Sequence, residues 1–177
     1  MKIFFCFFFF IFFGCSNTIS PNDGSENSSS SEFQYSSSSF DSINSSSSIE
    51  NNLTMIFNAV SESGIYTTKD SVAAYLCKFE KLPSNYVNKT EAKNLYELKT
   101  GNTFSKWNFN PWLLLNVMIG GDDFQNTEQL LPTNNYKESD VNYTAENRGT
   151  NRLVYASGCI IYFTKDHYSS FEKINFD

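Results

Sequence analysis

Tyr136-Lys137-Glu138-Ser139-Asp140-Val141-Asn142-Tyr143, followed by Asn151-Arg152-Leu153-Val154-Tyr155-Ala156 and Cys159-Ile160-Ile161-Tyr162-Phe163-Thr164, is the stretch that decides the fold. Short runs rich in β-branched and aromatic residues, broken by Asn, Gly and Ser, read as strands joined by turns. Leu113–Ile119 upstream and Phe171–Ile174 downstream read the same way. Alternation along the first run puts Ser139, Val141 and Tyr143 on one face and Tyr136, Glu138 and Asp140 on the other. Glu138 therefore faces away from the side that carries Val141.

Ahead of these strands the period changes. Thr68 or Asp70 can cap a helix whose apolar face is Val72, Leu76 and Phe79, and Leu82-Pro83 ends it. Thr90–Thr100 predicts a second helix, with Ala92, Leu95 and Leu98 inward and Gly101 as its stop. Helices first and strands afterwards imply an α+β domain over residues 65–177. N-terminal helices pack on one face of a C-terminal antiparallel sheet, and the other face is free to bind.

The beginning of the chain is of another kind. Lys2 precedes an uninterrupted apolar run, Ile3–Phe13, which is too short to span a bilayer. With small residues following at Gly14 and Ser16, residues 1–16 read as an export signal, so a secreted protein is expected. Phe12-Phe13-Gly14-Cys15 is also a loose version of a bacterial lipobox without its usual leucine, which leaves lipid anchoring at Cys15 as the alternative. Residues 17–48 carry serine runs and cannot bury enough apolar surface to offset their ordering entropy, so a disordered linker is expected. In residues 49–64, Ile49, Leu53, Ile56, Phe57 and Val60 recur at helical spacing, which suggests a short amphipathic helix.

The formal charge of −6 is uneven. Every Lys and Arg except Lys2 lies beyond Ile65, whereas Asp23, Glu26, Glu32, Asp41, Glu50 and Glu62 lie upstream. The folded region is near neutral, so the acidic balance is weak evidence against a polyanionic ligand. Outside the leader two cysteines remain, Cys77 and Cys159. They are too few for a zinc site; in an exported chain such a pair more often bonds than stays free, the alternative being two small buried thiols.

The candidate chemistry is compact. His167, the chain's one histidine, lies on a turn before the last strand. Arg148 and Arg152 bracket a turn-rich stretch between two strands. If those strands are neighbours, Glu138, the arginines and His167 converge.

From about Ile65 to Ile174 the chain resembles the barnase/binase family of secreted microbial ribonucleases. The resemblance runs in order through Ala74-Tyr75-Leu76, Lys81-Leu82-Pro83, Lys89-Thr90-Glu91-Ala92, Ile119-Gly120-Gly121-Asp122, Phe124, Asn126, Glu128 and Leu131-Pro132. It continues through Glu138, Asp140-Val141-Asn142-Tyr143-Thr144, Arg148, Arg152-Leu153-Val154-Tyr155 and Asp166-His167-Tyr168. It implies the microbial ribonuclease fold, with Glu138 as general base and His167 as general acid. Arg148 and Lys89 would hold the scissile phosphate, with Arg152 and Tyr168 supporting them; a structural ion pair with Asp140 is the alternative for Arg152. Phe124, Gln125, Asn126 and Glu128 fall on the family's guanine-recognition loop.

The implied substrate is single-stranded RNA and not DNA, because the 2′-hydroxyl that RNA supplies is the nucleophile. A carboxylate takes its proton, and an imidazole, which titrates near neutral pH, protonates the leaving 5′-oxygen. Fixed cations stabilise the charge that builds on the phosphate. The product is a 2′,3′-cyclic phosphate, hydrolysed in a second step. No metal or cofactor is implied; a monomer, with a cognate acidic inhibitor protein as partner, is.

Three departures stand out. Thr127 replaces a common arginine and Gln129 a common glycine, so guanine preference is less firmly implied than RNA cleavage. Asn102–Met118 is longer than the family's counterpart; its Trp107, Phe109 and Trp112 either stack on bases or add core cover. Cys77 and Cys159 fall where the family's first helix nears a central strand, which favours their pairing. The rival function is a non-catalytic RNA-binding or surface-tethered module that kept the fold; retention of both Glu138 and His167 argues against it.

Overall fold

Helices lead the domain in the computed structural model, which describes residues 51–176; the expected leader (1–16) and the whole expected linker (17–48) lie outside them. Residues 51–59 are helical (α1). Lys78 of the next helix donates to the carbonyls of Phe57 at 3.3 Å and Val60 at 3.0 Å, satisfying the chain where α1 ends. That next helix, α2 (Lys69–Phe79), starts after Thr68 and stops at Glu80, whose left-handed backbone (φ 51°) turns its N–H onto the carbonyl of Leu76. It ends before Leu82-Pro83, so a left-handed cap, not the proline, terminates it.

The third helix, α3 (Lys89–Thr100), begins at Asn88, whose side chain accepts from the Glu91 N–H, and closes at Gly101 with φ 71°. Here the expected inward face needs correcting. Leu98 is 84 % exposed, while Ala92 is fully buried. Six residues at about 100° each put Leu98 about 120° round the helix from Ala92, off the inner face, whereas Tyr96 comes round to the inner side.

Leu113–Ile119, read as one strand, is two elements. Pro111–Leu115 is a short helix (α4) capped by the Asn110 side chain with proline at its start, and strand β2 runs Met118–Phe124. An apolar run this short fits either period, and the Asn-Pro start decides for the helix. The sheet has six strands in the order β1 to β6: β1 (Tyr86–Val87), β2, β3 (Tyr136–Asp140), β4 (Arg152–Ala156), β5 (Ile160–Thr164) and β6 (Glu172–Ile174). All neighbours are antiparallel except β1 and β2, which are parallel. The two-residue β1 left no readable pattern. β3 stops at Asp140, sooner than expected, because Asn142 takes a left-handed backbone at φ 50°.

The sheet has two apolar faces of unequal size. Val141, Leu153, Ile161 and Ile174 bury against Val72, Ala73 and Leu76 of α2. On the other face, Tyr136 and Val154 pack with Leu131, Phe124, Tyr168 and Phe171. The chain is thus α+β with helices on one face of a mostly antiparallel sheet. The second face is partly roofed by loops, and that roof carries the chemistry.

Cys77 and Cys159 form a disulfide that ties α2 to the β4–β5 turn across a sequence separation of 82 residues. Replacing both by serine is expected to lower unfolding free energy by roughly 2–5 kcal/mol, because the unfolded chain loses a long closed loop. Urea unfolding measures it; an unchanged midpoint would contradict the structural role.

Candidate active site

Glu138 sits at the middle of β3, opposite Asp122 of β2 and Val154 of β4, and is only 6 % exposed. A carboxylate this buried needs partners, and distant parts of the chain supply them. Lys89, the first residue of α3, bonds one carboxylate oxygen through Nζ, and the Tyr168 hydroxyl donates to the other. Burial first, then the bond to Glu138 and its charge, raise the Tyr168 hydroxyl above its ordinary range, so it remains a protonated donor.

A β-bulge between Gly120 and Asp122 completes this corner. Gly121 takes φ 93°, a conformation that costs a glycine little. Asp122 Oδ2 then accepts the backbone N–H of Lys89 at 3.0 Å, placing negative charge at the start of α3.

Two residues beyond Glu138 on the same face, Asp140 is 1 % exposed and gathers three polar side chains. Arg148 grips it with two donors, Nε to Oδ2 at 2.5 Å and Nη2 to Oδ1 at 2.8 Å. The Tyr143 hydroxyl donates to Oδ2 at 2.7 Å. Burial is the largest single influence on the Arg148 guanidinium and opposes its charge, but the hydrogen bonds and charge of Asp140 outweigh it and raise its pKa. Arg152, the cross-strand partner of Asp140, brings Nε within 2.8 Å of Oδ1, close enough for an ion pair although the N–H is not aimed along a hydrogen bond. Its other nitrogens donate to the carbonyls of Asn151 at 2.7 Å and Gly149 at 3.1 Å. At 2 % exposure Arg152 is walled off from solvent.

His167 is exposed on the β5–β6 turn, where it and Tyr168 take consecutive left-handed conformations at φ 55° and 76°. Such backbone persists only when its surroundings over-determine it. Asp166 does so by accepting from Thr164 Oγ1 at 2.9 Å, from the Ser170 N–H at 2.9 Å and from Ser170 Oγ at 2.6 Å. Tyr168 lies between the two candidate proton carriers. Its hydroxyl is on Glu138, and its ring centroid is 4.7 Å from that of His167.

Those bonds to Asp166, led by the Ser170 hydroxyl and N–H, lower its carboxyl from 3.8 to about 2. A folded-state pKa below the unfolded one stabilises the turn fully above the unfolded value and is lost as pH falls towards the folded one. Exchange protection of the Ser170 amide is therefore expected to fall between pH 4 and pH 2 and to be absent in Asp166→Ala at any pH. Protection indifferent to pH would contradict this.

A cleft of about 230 Å³ opens beside the turn, lined by Phe124, Gln125, Thr127, Glu128, His167 and Tyr168 among others. The whole segment from Phe124 to Glu128 thus stands next to His167. Asn126 spends its amide on the loop, donating to the Leu131 carbonyl at 2.7 Å and accepting from the Leu131 N–H at 3.2 Å. Gln129 has φ 54°, so this loop still demands the left-handed backbone that glycine adopts most easily. Gln129→Gly is expected to raise stability by about 0.5 kcal/mol and Gln129→Val to lower it by about 1 kcal/mol. Thermal unfolding of the two variants checks the order, and the reverse order would contradict it.

Glu138 and Arg152 stand on strands β3 and β4, Lys89 at the start of α3, and Arg148, His167, Tyr168 and residues 125–128 in loops. Asp122 and Asp166 were not singled out, and each is a brace: the Gly120-Gly121 pair ahead of the first was the available signal.

A family model for ribonuclease matches residues 69–175. A ribonuclease of Heyndrickxia coagulans is 39% identical over 113 residues, 62% of this chain and 98% of that protein. Ribonucleases of Bacillus intermedius and Bacillus pumilus are each 39% identical over 113 residues, 62% of this chain and 66% of theirs. Among solved structures, ribonuclease Sa2 with guanosine-2′-cyclophosphate is 26% identical, with 54% of this chain and 89% of that chain covered, at a TM-score of 0.29.

Proposed function

Because this chain belongs to the ribonuclease family, with RNA as its substrate, we propose that it is a secreted, metal-independent endoribonuclease that cleaves single-stranded RNA by transesterification. Glu138 is the general base that takes the 2′-hydroxyl proton, and His167 is the general acid that protonates the departing 5′-oxygen. Lys89 and Tyr168 orient the Glu138 carboxylate from two sides. Arg148 holds the phosphate; Arg152, shielded from solvent, acts through Asp140 and Arg148. Proton transfer and fixed positive charge are then available at one phosphodiester without reorganisation. The resulting 2′,3′-cyclic phosphate is hydrolysed with the two roles exchanged, His167 activating water and Glu138 returning a proton.

The observation that carries this reading is Tyr168, bonded to Glu138 through its hydroxyl and with its ring tilted against that of His167 at 4.7 Å between centroids. Base preference is assigned to the Phe124–Glu128 loop, with the Glu128 carboxylate and loop amides reading guanine, Phe124 and Gln125 lining the site and Asn126 fixing the loop's shape. Residues 1–16 direct export, residues 17–48 are a linker, and residues 65–177 are the ribonuclease domain, acting as a monomer. A cognate acidic inhibitor protein is the proposed partner.

Incubating the purified full chain with defined RNA oligonucleotides in the presence of a chelator tests the proposal. Cleavage chiefly after G, leaving cyclic phosphate ends, is expected. A requirement for added Mg²⁺ would overturn the mechanism, whereas equal cleavage after all four bases would remove only the role given to Glu128.

A further inference from the structure

The segment that lengthens this chain relative to its resembled family packs as an aromatic cluster on α3. Phe104 and Phe109 lie 5.8 and 4.9 Å from the Tyr96 ring, and Trp107 lies 4.5 Å from Phe104 and 5.8 Å from Phe109. This segment is held at both ends: the Phe104 N–H donates to Glu97 Oε1 at 2.8 Å, and Asn110 Nδ2 donates to the Thr144 carbonyl at 2.7 Å. One ring of the cluster reaches beyond it. The guanidinium carbon of Arg148 stands 5.1 Å from the Trp107 centroid.

Arg148 is therefore fixed in two directions. Asp140 holds its edge through Nε and Nη2, and the guanidinium stands over the Trp107 ring. A guanidinium has five N–H donors; the grip on Asp140 takes two, and the planar fork turns the other three away from that carboxylate. We propose that Trp107 is a positioning residue for Arg148, fixing the direction in which those remaining donors meet the phosphate. The inference rests on the phosphate-holding role given to Arg148 above.

The physics favours aiming over mere packing. An indole face attracts a guanidinium through its quadrupole and excludes water from that face, which strengthens the charge felt by a nearby anion. Charge on the non-bridging oxygens grows on the way to the transition state, so a mis-aimed cation costs turnover more than substrate affinity. Stacking of an RNA base on Trp107 is the competing role. It is disfavoured because the ring already has Arg148, Phe104 and Phe109 around it.

The test measures kcat and KM of the full chain on a guanosine–uridine dinucleotide, with thermal unfolding to check each fold. W107L keeps apolar bulk and removes the ring. It is expected to lower kcat about 5- to 20-fold with KM changed less than about twofold. W107F, which restores a ring, should recover kcat to within about threefold of wild type. In an R148K background neither variant should change kcat further, since the aimed group is gone. Should W107L fail to fold, W107F carries the comparison alone, with a two- to threefold loss expected beside Arg148 and none beside R148K. Equal losses in both backgrounds would overturn the inference. So would a loss confined to KM that grows with oligonucleotide length, which would make Trp107 a base platform. Full activity of R148K by itself would instead overturn the phosphate-holding role of Arg148, a distinct failure.

Discussion

Glu138→Ala and His167→Ala are each expected to lower kcat on RNA by about 10²- to 10⁴-fold, the range supplied by a positioned proton carrier. Combining them should cost little more than the larger single loss, because one proton relay is being broken twice. Glu138→Ala also strips Lys89 and the Tyr168 hydroxyl of their shared partner. Glu138→Gln is therefore the cleaner probe, since it keeps the shape and an accepting oxygen while removing the base. Steady-state kinetics on a defined oligonucleotide decides the matter. A loss under tenfold in both Glu138→Gln and His167→Ala would show that neither side chain moves a proton in the rate-determining step.

Asp140→Ala should be the most destabilising substitution on this face of the sheet. The carboxylate is 1 % exposed and serves Arg148, Arg152 and Tyr143 together. Removing it leaves Arg152, itself 2 % exposed, as an unpaired buried charge. Breaking a buried ion pair from one side costs about 3–5 kcal/mol, most of it from the stranded partner. Surviving folded protein should turn over poorly as well, because Arg148 loses the edge that holds it. Denaturant unfolding measures the first effect. A change below about 1 kcal/mol would mean that water or rearrangement replaces the carboxylate and that Asp140 does not hold the two arginines in place.

Glu138 and Asp140, one from each prediction, were placed by strand alternation. Period-two reading put Glu138 and Asp140 on one face of β3, and the Asp140↔Arg152 register lies in the same antiparallel ladder. That logic is strong because a register slip of one residue would turn every core side chain outward. It weakens where the chain leaves regular structure. His167 and Tyr168 occupy consecutive left-handed positions without glycine, which no propensity announces. The bond that joins Tyr168 to Glu138 was accordingly not legible beforehand. Asp122 depends on a bulge, which shifts register by one and breaks the alternation. Leu98 was misread because spacing of three was extended for two turns of a 3.6-residue helix, and the error accumulated to about 120°, off the inner face. Trp107 had an open reading, base platform or core cover; its contact with Arg148 joins residues 41 apart in sequence and could not be read from either one.

The disulfide shows another limit. Counting cysteines outside the leader favoured pairing but left burial as the alternative, and the approach of α2 to the β4–β5 turn, 4.3 Å between α-carbons, settles the bond. Its position away from Glu138 and His167 separates stability from chemistry. Variants lacking it should unfold more easily yet keep the site's arrangement while folded.

The most direct measurement is a crystal structure of the full chain with a guanosine–uridine dinucleotide that lacks the 2′-hydroxyl and so cannot be cut. The phosphorus should lie between the Glu138 carboxylate and the His167 imidazole, on opposite sides, with Arg148 donating to a non-bridging oxygen. A phosphate bound elsewhere, or both groups approaching from one side, would contradict the account.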